Sequence, residues 1–441
     1  MKVLKFGGTS VGTAGKIKNV AKIINNEEEK IVVLSAMSGT TNKLEEIASL
    51  FLNGKKEEAV VQIELLKKSY FKVIKELFTG AEYLSKGNEL IKQHFDYLLS
   101  FTEDVFTRYE ERAVLAQGEL ISTSLLHYYL KEQKINSVII PALNFMRIDK
   151  SLEPDEYYIR ENLKRELAQY PDTKLFITQG YICRNAFGEI DNLKRGGSDY
   201  TASLIGAEIN AEEIQIWTDI DGFHNNDPRF VEKTLPIHEL SFDEAAELAY
   251  FGAKILHPSS VLPAKNKNIP VRLKNTMQPE AYGTLITENE IEEEGEIKAV
   301  AAKDGITAVK IKSGRMLLAY GFLRKVFEVF ERYKTPIDMI TTSEIAVSVT
   351  IDNPKYLPEI KKELESYASV EIDNNQSIIC VVGNLIAEGK GIALKVINAL
   401  EDIPLRMISY GGSKHNISVL INAEDKIKAL NELNNKLFKF D

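Results

Sequence analysis

The sequence predicts an α/β protein in which an open, mostly parallel sheet flanked by helices is followed by two small modules that combine strands and helices. Three observations predict this fold class. Strand-like and helix-like segments alternate from the first residue, the apolar strands are typical of strands buried on both faces, and the last third of the chain repeats itself. With 441 residues, the chain is long enough for two or three domains with cores of their own.

The composition is that of an ordinary globular protein, with 44% hydrophobic and 27% charged residues. A net charge of -9 argues against a surface for nucleic acids or anionic membranes. No apolar run approaches the ~18 residues of a membrane span, and no signal-peptide pattern is present, so we expect a cytoplasmic protein. Cys183 and Cys380 are predicted to be free buried thiols, and the six histidines form no metal-binding pair.

The first predicted strand ends at a glycine pair that suits an anion site. Residues 1–6 are apolar and alternating, Lys5 lies near the strand's end, and Gly7 and Gly8 follow it. Glycines let a backbone approach a phosphate closely and the lysine supplies a positive charge, although a tight turn would explain the glycines equally well. The stretch is not a Walker A loop, because its lysine precedes the glycines.

A parallel β-α-β unit is predicted next. Residues 16–25 have helical spacing, and residues 30–35 form a short apolar run typical of a buried strand. A strand, a helix and a strand in such a short stretch imply a right-handed parallel unit. Because ligands bind at the carboxyl ends of the strands in open sheets, we expect the polar loop over 35–42 to line a site.

Helical and strand-like segments alternate up to residue 287. Residues 43–109 are rich in Lys, Glu and Leu and are predicted to be a helical insertion with solvated charges. Gln117-Gly118-Glu119 is predicted to open a helix, where the helix dipole alone would favour Glu119. The remaining predicted elements are strands over 137–141 and 175–178, a second glycine-rich loop over 193–202 entering a helix, a strand over 214–219 followed by an acidic turn, and a helix over 242–251.

The last third of the chain is predicted to hold two related modules behind a linker. Six of the nine residues in 288–296 are glutamate, as in an exposed linker. Gly321 and Lys325 recur as Gly391 and Lys395, and each copy combines a strand, a helix and a second strand. The predicted divisions are a large domain over 1–287, the linker over 288–296 and a C-terminal region over 297–441, with a first module over about 304–370 and a second over about 371–441 joined by the strand over 297–303.

Two glycine-rich loops at strand ends suit phosphoryl transfer. One loop bears Lys5, and the other bears Arg195 and Asp199. Phosphoryl transfer needs cations and hydrogen-bond donors around a spreading negative charge more than it needs covalent chemistry. The loop over 217–229 has carboxylates, a hydroxyl and an arginine, as a nucleotide-binding loop does, but its aspartates are also typical of turn capping.

Taken together, seven ordered motifs indicate a family. They are Lys5-Phe6-Gly7-Gly8-Thr9-Ser10, Ser35-Ala36 with Gly39 and Thr41-Asn42, Gln117-Gly118-Glu119, Arg195-Gly196-Gly197-Ser198-Asp199, Thr218-Asp219 through Asp227-Pro228-Arg229, Phe251-Gly252-Ala253-Lys254, and Ile340-Thr341-Thr342-Ser343-Glu344. On these residues the chain resembles the aspartate kinases of the amino-acid kinase family over nearly its whole length. The resemblance implies the amino-acid kinase fold for the large domain and two ACT modules for the C-terminal region.

The resemblance also implies a reaction, the ATP-dependent phosphorylation of the side-chain carboxylate of L-aspartate to 4-phospho-L-aspartate, the first step of lysine, threonine and methionine biosynthesis. By the family pattern Lys5 contacts the transferred group and Asp199 is the catalytic aspartate. Because the reference pKa of the substrate carboxyl is about 4, no general base is required, and we assign Asp199 to orienting Lys5 and the phosphates. Mg-ATP is the implied nucleotide, with Mg²⁺ held mainly through the phosphates and no protein metal site expected.

The family pattern assigns substrate contacts residue by residue. Arg195 would hold a carboxylate of aspartate and Glu119 its ammonium, because an arginine fork suits bidentate carboxylate binding. The other implied aspartate-site residues are Ser35, Thr41, Tyr181 and Ser198, and the implied ATP-site residues are Gly7, Gly8, Thr218, Asp219, Asp227, Arg229 and Lys254. The chain departs from the family pattern at His224-Asn225-Asn226 and at Lys194, where a glycine is common.

ACT modules of this family bind an amino-acid end product and mediate dimerisation, so the resemblance implies feedback inhibition, with L-lysine favoured, and a homo-oligomer. The positions that match the family's effector pocket are Met316, Ala319, Phe322, Leu323, Ile337, Asp338, Thr342, Ser343 and Glu344. Ala319 replaces a serine of some lysine-sensitive members. Core packing is the alternative for the apolar positions among them.

Two other functions compete with a feedback-regulated aspartate kinase. Another amino-acid kinase, such as a glutamate or uridylate kinase, is disfavoured by the Thr41-Asn42 loop, the helical insertion and the paired ACT modules. An amino-acid sensor without turnover is disfavoured by the presence of Lys5, Arg195 and Asp199. Turnover with Mg-ATP and a panel of amino acids separates these alternatives.

Overall fold

The computed structural model describes residues 1–193, 196–252, 256–288, 295–313 and 320–440. The described residues pack into two compact units. The first unit contains Met1–Phe223, His238–Phe242 and Leu256–Glu288, and the second contains His224–Ile237 with the described residues of Asp243–Ile255 and Asn289–Asp441. Two short segments within the predicted large domain over 1–287 therefore pack with the C-terminal third of the chain.

The first unit is built on an eight-stranded sheet and a small hairpin. Its strands, in chain order, are β1 Lys2–Phe6, β2 Lys30–Leu34, β3 Val138–Ile139, β4 Leu175–Gln179, β5 Ile182–Arg184, β6 Ile190–Asn192, β7 Ile214–Thr218, β8 Glu239–Ser241, β9 Val271–Asn275 and β10 Thr284–Thr287. The sheet order is β3-β4-β2-β1-β7-β9-β10-β8, while β5 and β6 pair as a separate antiparallel hairpin. Neighbours from β3 to β9 are parallel, β10 is antiparallel to β9, and β8 is parallel to β10.

The central strands of this sheet consist of apolar segments that are buried on both faces. Every residue of β2 and of β4 is buried, as expected of central strands covered by helices on both faces. The predicted open, mostly parallel sheet flanked by helices is confirmed.

Helices cover the sheet and form the predicted insertion. The helices of this part of the chain are α1 Gly8–Val11, α2 Ala14–Ile24, α3 Thr40–Leu52, α4 Lys56–Leu77, α5 Ala81–Ser100, α6 Arg108–Glu132, α7 Ala142–Phe145, α8 Glu156–Ala168, α9 Gly197–Ile209, α10 Phe242–Tyr250 and α11 Leu262–Asn266. Apolar side chains of α2 to α6 share one buried cluster with β1, β2 and β4. This packing, rather than helix propensity alone, holds the long helices in place.

The start of α6 corrects one prediction. A helix was expected to open at Gln117, but α6 begins at Arg108 behind a capping box formed by Thr107 and Glu110. Glu119 therefore lies near the middle of the helix, and the helix dipole does not account for an acidic residue there. The acidic side chain at position 119 therefore needs an explanation other than the helix dipole.

The second unit is built on one antiparallel sheet of six strands. These strands are β11 Ile297–Lys312, β12 Ile340–Thr342, β13 Ala346–Ile351, β14 Ser369–Gly383, β15 Met407–Tyr410 and β16 Asn416–Asn422, in the order β12-β13-β11-β14-β16-β15. Its helices are α12 Phe322–Arg332, α13 Leu357–Leu364, α14 Ile392–Ala399 and α15 Lys426–Leu437, and α10 also belongs to this unit from Asp243 onward. The two ACT modules predicted for this region are therefore joined edge to edge in one sheet.

The two long strands β11 and β14 each run through both modules. Residues 297–303 of β11 pair with residues 378–383 of β14, whereas residues 306–312 of β11 pair with 369–376 of β14. The later part of β11 also pairs with β13, and the later part of β14 pairs with β16. The sequence repeat is visible as structure, because Gly321 and Gly391 cap α12 and α14 with φ of 86° and 76°.

Asparagines join the segment His224–Ile237 to α15 within the second unit. The Asn226 amide donates to the Leu430 carbonyl oxygen at 3.0 Å, and the Asn434 amide donates to the Lys233 carbonyl oxygen at 3.0 Å. Asn225, Asn226 and Asn434 are all buried. Because buried amides need partners, these hydrogen bonds explain why the polar run 224–226 packs with the C-terminal helix.

Within the described ranges, none of the helices is long and apolar enough to cross a membrane. The same residues contain no group of three or more His, Cys, Asp or Glu side chains arranged to hold a metal ion. Cys183 and Cys380 are buried free thiols, as predicted.

Candidate active site

Four strand ends form one row in the first unit. The parallel register aligns Phe6 with Leu34 and with Trp217, and aligns Leu34 with Gln179. The chain continues the ladder past these residues, because Ser35 N–H donates to the Phe6 carbonyl at 3.1 Å and Gly180 N–H donates to the Leu34 carbonyl at 2.8 Å. The loops after β4, β2, β1 and β7 therefore begin at the same edge of the sheet, where open α/β sheets bind ligands.

The second glycine-rich loop meets this edge at the start of α9. Gly196 precedes the helix with φ of 72°, and Asp199 lies in the helix's first turn. A Cβ on Gly196 would lie 2.6 Å from Cβ of Ser260 and 3.3 Å from Cβ of His257. Glycine is required at this position by its backbone conformation and by the close approach of the 257–260 segment.

Lys5 and Asp199 form an ion pair at the centre of the row. The Lys5 Nζ lies 2.6 Å from Asp199 Oδ1, and the two side chains are only 12% and 15% exposed. The pair joins the two glycine-rich loops, which are 194 positions apart in the sequence (199 minus 5). The carboxylate fixes the position of the lysine ammonium at the end of β1.

Gly7 and Gly8, which follow Lys5, differ in the contacts that their backbones make. The Gly7 N–H, expected to face a phosphate, donates to the Trp217 carbonyl oxygen at 3.3 Å. A Cβ on Gly7 would lie 3.3 Å from Lys5 Nζ, so glycine keeps the space beside the ammonium open. Gly8 is the first residue of α1, where backbone N–H groups lack partners within the helix, and a Cβ on it would lie 2.9 Å from the Ala36 carbonyl oxygen.

Two serines connect the loop after β2 with α9. Ser35 Oγ donates to Ser198 Oγ at 2.9 Å, and Ser122 of α6 donates to the Ser35 carbonyl oxygen at 2.8 Å. A Cβ on Gly180 would lie 2.4 Å from Cβ of Ser198, so the loop after β4 reaches α9 only because residue 180 is glycine. The structure thus brings Ser35, Ser198, Lys5 and Asp199 together.

Glu119 projects from the middle of α6 and contacts the loop after β2. Its Oε1 accepts a hydrogen bond from the Ala36 N–H at 3.1 Å, and Oε2 is buried without a hydrogen-bond partner among the described residues. Burial raises the pKa of Glu119 to about 8, although the Ala36 bond opposes the shift. An unpaired buried carboxyl oxygen is costly, and a bound ammonium would satisfy it.

Gly118 explains how α6 comes close enough to place Glu119. A Cβ on Gly118 would lie 2.7 Å from Cβ of Ala36 and 3.2 Å from Cγ2 of Thr40. Thr41, which is predicted to line the aspartate site, is the next residue after Thr40 in α3 and is partly exposed.

Tyr181 follows the end of β4 in a left-handed conformation with φ of 67°. Its N–H donates to Thr201 Oγ1 of α9 at 2.8 Å, which holds this backbone against the helix. Burial raises the pKa of the Tyr181 hydroxyl to about 12, so the side chain remains a neutral phenol.

The predicted nucleotide residues divide between the two units. Thr218 is the last residue of β7 in the first unit and Asp219 follows it, with Thr218 Oγ1 donating to Asp219 Oδ1 at 3.2 Å. Asp227 and Arg229 belong to the second unit and pair with each other at 2.6 Å, and the Arg229 side chain is 73% exposed. Arg195, Lys194 and Lys254 lie outside the described residues.

The predicted effector positions lie in the second unit. Phe322 is buried in the core of the first module and Ile337 packs against that core, whereas Leu323, Thr342, Ser343 and Glu344 are exposed. The Asp338 side chain is 2% exposed and pairs with Lys303. Met316 and Ala319 lie outside the described residues.

Several residues of the site were not predicted. Gly180, Ser122, Thr201, His257 and Ser260 act by positioning neighbouring loops. The glycine after a buried strand, Gly180, was the available signal in the sequence. The other contacts arise from segments that are distant in the chain, so no local pattern marks them.

Comparison with known proteins places this architecture in a family. The model of the amino acid kinase family matches residues 1–275, and a model of the ACT domain matches residues 379–437. The chain is 32% identical over 460 residues to the lysine-sensitive aspartokinase 3 of Escherichia coli (strain K12), covering 99% of both proteins. It also matches the crystal structure of E. coli aspartokinase III with aspartate and ADP (R-state), at a TM-score of 0.84 and 31% identity over 100% of both chains.

A second structure of the same E. coli protein, with lysine and aspartate (T-state), matches at a TM-score of 0.83, with 31% identity over 100% of both chains. The chain belongs to the amino acid kinase family, because the model of that family matches more than half of its residues. The relatives named above are aspartokinases, this chain itself carries an ACT domain at its C-terminal end, and it is an enzyme of the aspartate kinase class.

Lys5→Met is expected to lower kcat by at least about 100-fold if Lys5 contacts the transferred group as the family pattern implies, because a preorganised cation is then lost. The steady-state rate of ADP release measures the effect. Lys2→Met is the matched control, since Lys2 lies on the same strand but pairs with Glu28 at the opposite end. We expect Lys2→Met to stay within about twofold of the unmodified rate. A Lys5→Met enzyme with a tenth or more of normal turnover would contradict the role given to Lys5.

Aspartate binding is expected to strengthen as the pH rises toward 8. Glu119, with its pKa raised to about 8, is mostly neutral at pH 6.5 and must lose its proton to pair with an ammonium. The KM for aspartate should therefore fall with rising pH, by up to about tenfold per pH unit below this pKa. Initial rates between pH 6 and 9 measure it.

Glu119→Gln is the control for this pH dependence. Glutamine keeps an oxygen for the Ala36 N–H but does not titrate, so its KM for aspartate should be higher and flat over the same range. If the slope persists in Glu119→Gln, another group is responsible.

Proposed function

We propose that the chain transfers the γ-phosphoryl group of ATP to the β-carboxylate of L-aspartate, giving 4-phospho-L-aspartate and ADP. The observation that carries the proposal is the ion pair between Lys5 and Asp199 at the common edge of the parallel strands. The related E. coli aspartokinase III, crystallised with aspartate and ADP, supports the same substrates here. The product would supply lysine, threonine and methionine biosynthesis.

The reaction needs charge stabilisation rather than a base. A carboxylate oxygen of aspartate attacks the γ-phosphorus, the bond between that phosphorus and the bridging oxygen breaks, and ADP departs with the bond's electron pair. The attacking carboxyl has a reference pKa of about 4, so it carries no proton to be removed at neutral pH. Asp199 therefore serves to hold Lys5, and the Lys5 ammonium reduces the repulsion between the two anions.

Glu119 is the proposed acceptor for the substrate's ammonium. Its buried Oε2 lacks a partner within the described part of the chain, and Ala36 N–H fixes its other oxygen. A bound ammonium would satisfy that oxygen and favour the ionised carboxylate. Arg195 is proposed to hold a carboxylate of aspartate, and Ser35, Thr41, Tyr181 and Ser198 to complete the site.

Mg²⁺ is proposed to enter as part of Mg-ATP, where it offsets negative charge on the phosphates. The residues present fit such a substrate. Glycine at position 7 keeps space open beside the Lys5 ammonium, since a Cβ there would lie 3.3 Å from Nζ. Gly8, Thr218 and Asp219 are the proposed nucleotide contacts of the first unit, while Asp227, Arg229 and Lys254 stay contacts predicted from the sequence.

L-Lysine is the proposed feedback inhibitor. The lysine-sensitive E. coli relative and its lysine complex support this effector. In the second unit, Asp338 has a buried carboxylate whose Oδ2 lacks a hydrogen-bond partner among the residues described, which suits an ammonium ligand.

The chain is proposed to form a homo-oligomer through its ACT modules. β12 and β15 are the outer strands of the six-stranded sheet, and apolar side chains on α12 and α14 are exposed. They are Leu323, Phe327, Leu394 and Ile397. Exposed apolar side chains on matching faces of two related modules are typical of an interface between copies.

The proposed activity is tested by ADP release with Mg-ATP and a panel of amino acids, with and without L-lysine and L-threonine. We expect aspartate-dependent turnover that L-lysine inhibits. Turnover with glutamate or uridylate instead of aspartate would favour another amino-acid kinase. Lysine binding without any turnover would identify a sensor, and inhibition by threonine alone would remove only the effector assignment.

The proposed assembly is tested by light scattering coupled to size-exclusion chromatography. We expect at least a dimer for the unmodified chain and a shift toward monomer for Phe327→Glu, because a buried unpaired charge disfavours an apolar interface. Tyr157→Glu serves as the control, since Tyr157 is exposed but lies on α8 of the first unit. A monomeric unmodified chain would refute assembly through the modules.

A further inference from the structure

Four side chains of the second unit form a compact charged group around Asp338, called here the Asp338 cluster. Lys303 Nζ lies 2.6 Å from Asp338 Oδ1 and 3.0 Å from Asp352 Oδ2. The Tyr250 hydroxyl donates to the same Asp338 oxygen at 2.8 Å. The Asp338 and Lys303 side chains are 2% and 17% exposed, whereas the Asp352 side chain is 41% exposed.

Lys303 is held as a cation in this cluster. Its ammonium lies 4.4 Å from the centre of the Tyr250 ring, a favourable cation–π distance. Burial alone would lower the pKa of Lys303, but the Asp338 and Asp352 carboxylates outweigh burial and the net pKa is raised. A positive charge of the protein therefore already occupies Asp338.

This arrangement conflicts with simple binding of an effector ammonium at Asp338. Oδ1 is shared by Lys303 and Tyr250, and Oδ2 is buried without a hydrogen-bond partner in the described ranges. A second ammonium on the same buried carboxylate would lie close to the first, and like charges at such a distance repel strongly when screening by water is weak. Lys303 has an alternative partner, because Asp352 is exposed and already in contact.

We propose that Lys303 is a built-in competitor of the effector: an incoming ammonium takes Asp338, Lys303 shifts to Asp352, and the Tyr250 hydroxyl loses its acceptor. This inference rests on the proposed inhibition by L-lysine. It adds that the affinity for the effector is set by the cost of displacing Lys303, and that Tyr250 reports the displacement to the rest of the chain.

Tyr250 is the last residue of α10, so loss of its hydrogen bond to Asp338 acts on the end of this helix. Two positions later, a Cβ on Gly252 would lie 2.1 Å from the carbonyl oxygen of Ala302, the neighbour of Lys303 in β11. The end of α10 is therefore attached to β11 at two adjacent points, by packing at Ala302 and by the Asp338 cluster at Lys303. Loss of the Tyr250 hydrogen bond removes one of these two points and leaves the packing at Ala302, while the ion pair between Lys298 and Glu244 holds the start of the helix.

In the sequence, the end of α10 is followed closely by a segment of the first unit that packs against the start of α9. His257 follows Gly252 by five positions (257 minus 252), and His257 and Ser260 pack against Gly196. Gly196 precedes α9, which carries Asp199, the partner of Lys5. A shift at the end of α10 thus has a short covalent path to the residues that hold the catalytic ion pair.

Lys303→Met tests the competition directly, because methionine keeps the length of the side chain but not its charge. Calorimetric titration with L-lysine should give a Kd about tenfold lower than for the unmodified enzyme, since the effector no longer displaces a resident cation. Lys303→Arg keeps the cation, and because the arginine fork holds a carboxylate at least as strongly, its Kd for L-lysine should be no lower than that of the unmodified enzyme. An unmodified Kd in Lys303→Met would overturn the proposal.

Lys298→Met is a matched control for loss of a buried lysine. Lys298 also lies on β11, its Nζ is 3.1 Å from Glu244 of α10, and the two side chains are 12% and 1% exposed. We expect Lys298→Met to leave the Kd for L-lysine within about twofold, because its pair lies outside the Asp338 cluster. A tenfold change there as well would mean that the effect is general to the strand, and would overturn the specific role of Lys303.

Asp352→Asn keeps the proposal testable if Lys303→Met fails to fold. Removing the exposed second carboxylate leaves Lys303 nowhere to move, so L-lysine should bind about fivefold or more weakly. Unchanged or tighter binding in Asp352→Asn would count against displacement of Lys303.

Tyr250→Phe separates binding from inhibition. Without the hydroxyl, L-lysine should bind at least as tightly, but the activity remaining at saturating L-lysine should rise, because breaking the hydrogen bond no longer accompanies binding. Full inhibition in Tyr250→Phe would overturn the coupling through Tyr250. If the unmodified enzyme neither binds L-lysine nor is inhibited by it, L-lysine is not the effector. If L-lysine inhibits the unmodified enzyme but the Kd and the residual activity of the variants equal those of the unmodified enzyme, only the role of Lys303 and Tyr250 is refuted.

Discussion

Parallel hydrogen bonding of four neighbouring strands is the constraint on which the active site depends. Because β4, β2, β1 and β7 are parallel and in register, their carboxyl ends lie in one row. Each strand then delivers a short loop to the same edge, and α9 closes the edge with Asp199. The ion pair between Lys5 and Asp199 is a consequence of this register, and a shift of β1 by one residue would turn Lys5 to the other face of the sheet.

Close approach of backbones is the second requirement, and glycines meet it. Gly180 allows the loop after β4 to touch Ser198, Gly118 allows α6 to touch Ala36, and Gly196 allows the backbone before α9 to touch Ser260. Each contact brings a functional side chain within reach of the row of strand ends. Glu119 depends on this packing most clearly, because its raised pKa and its unpaired oxygen both follow from burial of α6 against the loop.

The second unit is organised by two long strands that belong to both modules. β11 and β14 run through both halves of the six-stranded sheet, so the modules share backbone hydrogen bonds as well as a boundary. Lys303 lies on β11 where its pairing with β14 becomes irregular, between Lys303 and Ile306. Irregularities of this kind bend a strand and redirect the side chains beside them, and they are frequent next to functional sites.

The sequence alone predicted the alternation of strands and helices that builds the parallel core of the sheet, the internal repeat and the family, because apolar periodicity, glycine-rich loops and ordered motifs are local properties of the chain. It also predicted Lys5, Asp199 and Glu119 as site residues, although it mistook Glu119 for a residue at a helix start. It did not predict the short hairpin β5–β6, helix α8 or the strands β8, β9 and β10. Only the tertiary structure decided that Lys5 and Asp199 pair, that segments within 1–287 pack with the C-terminal unit, and that Lys303 occupies Asp338. These outcomes depend on contacts between residues far apart in the chain, which no local pattern encodes.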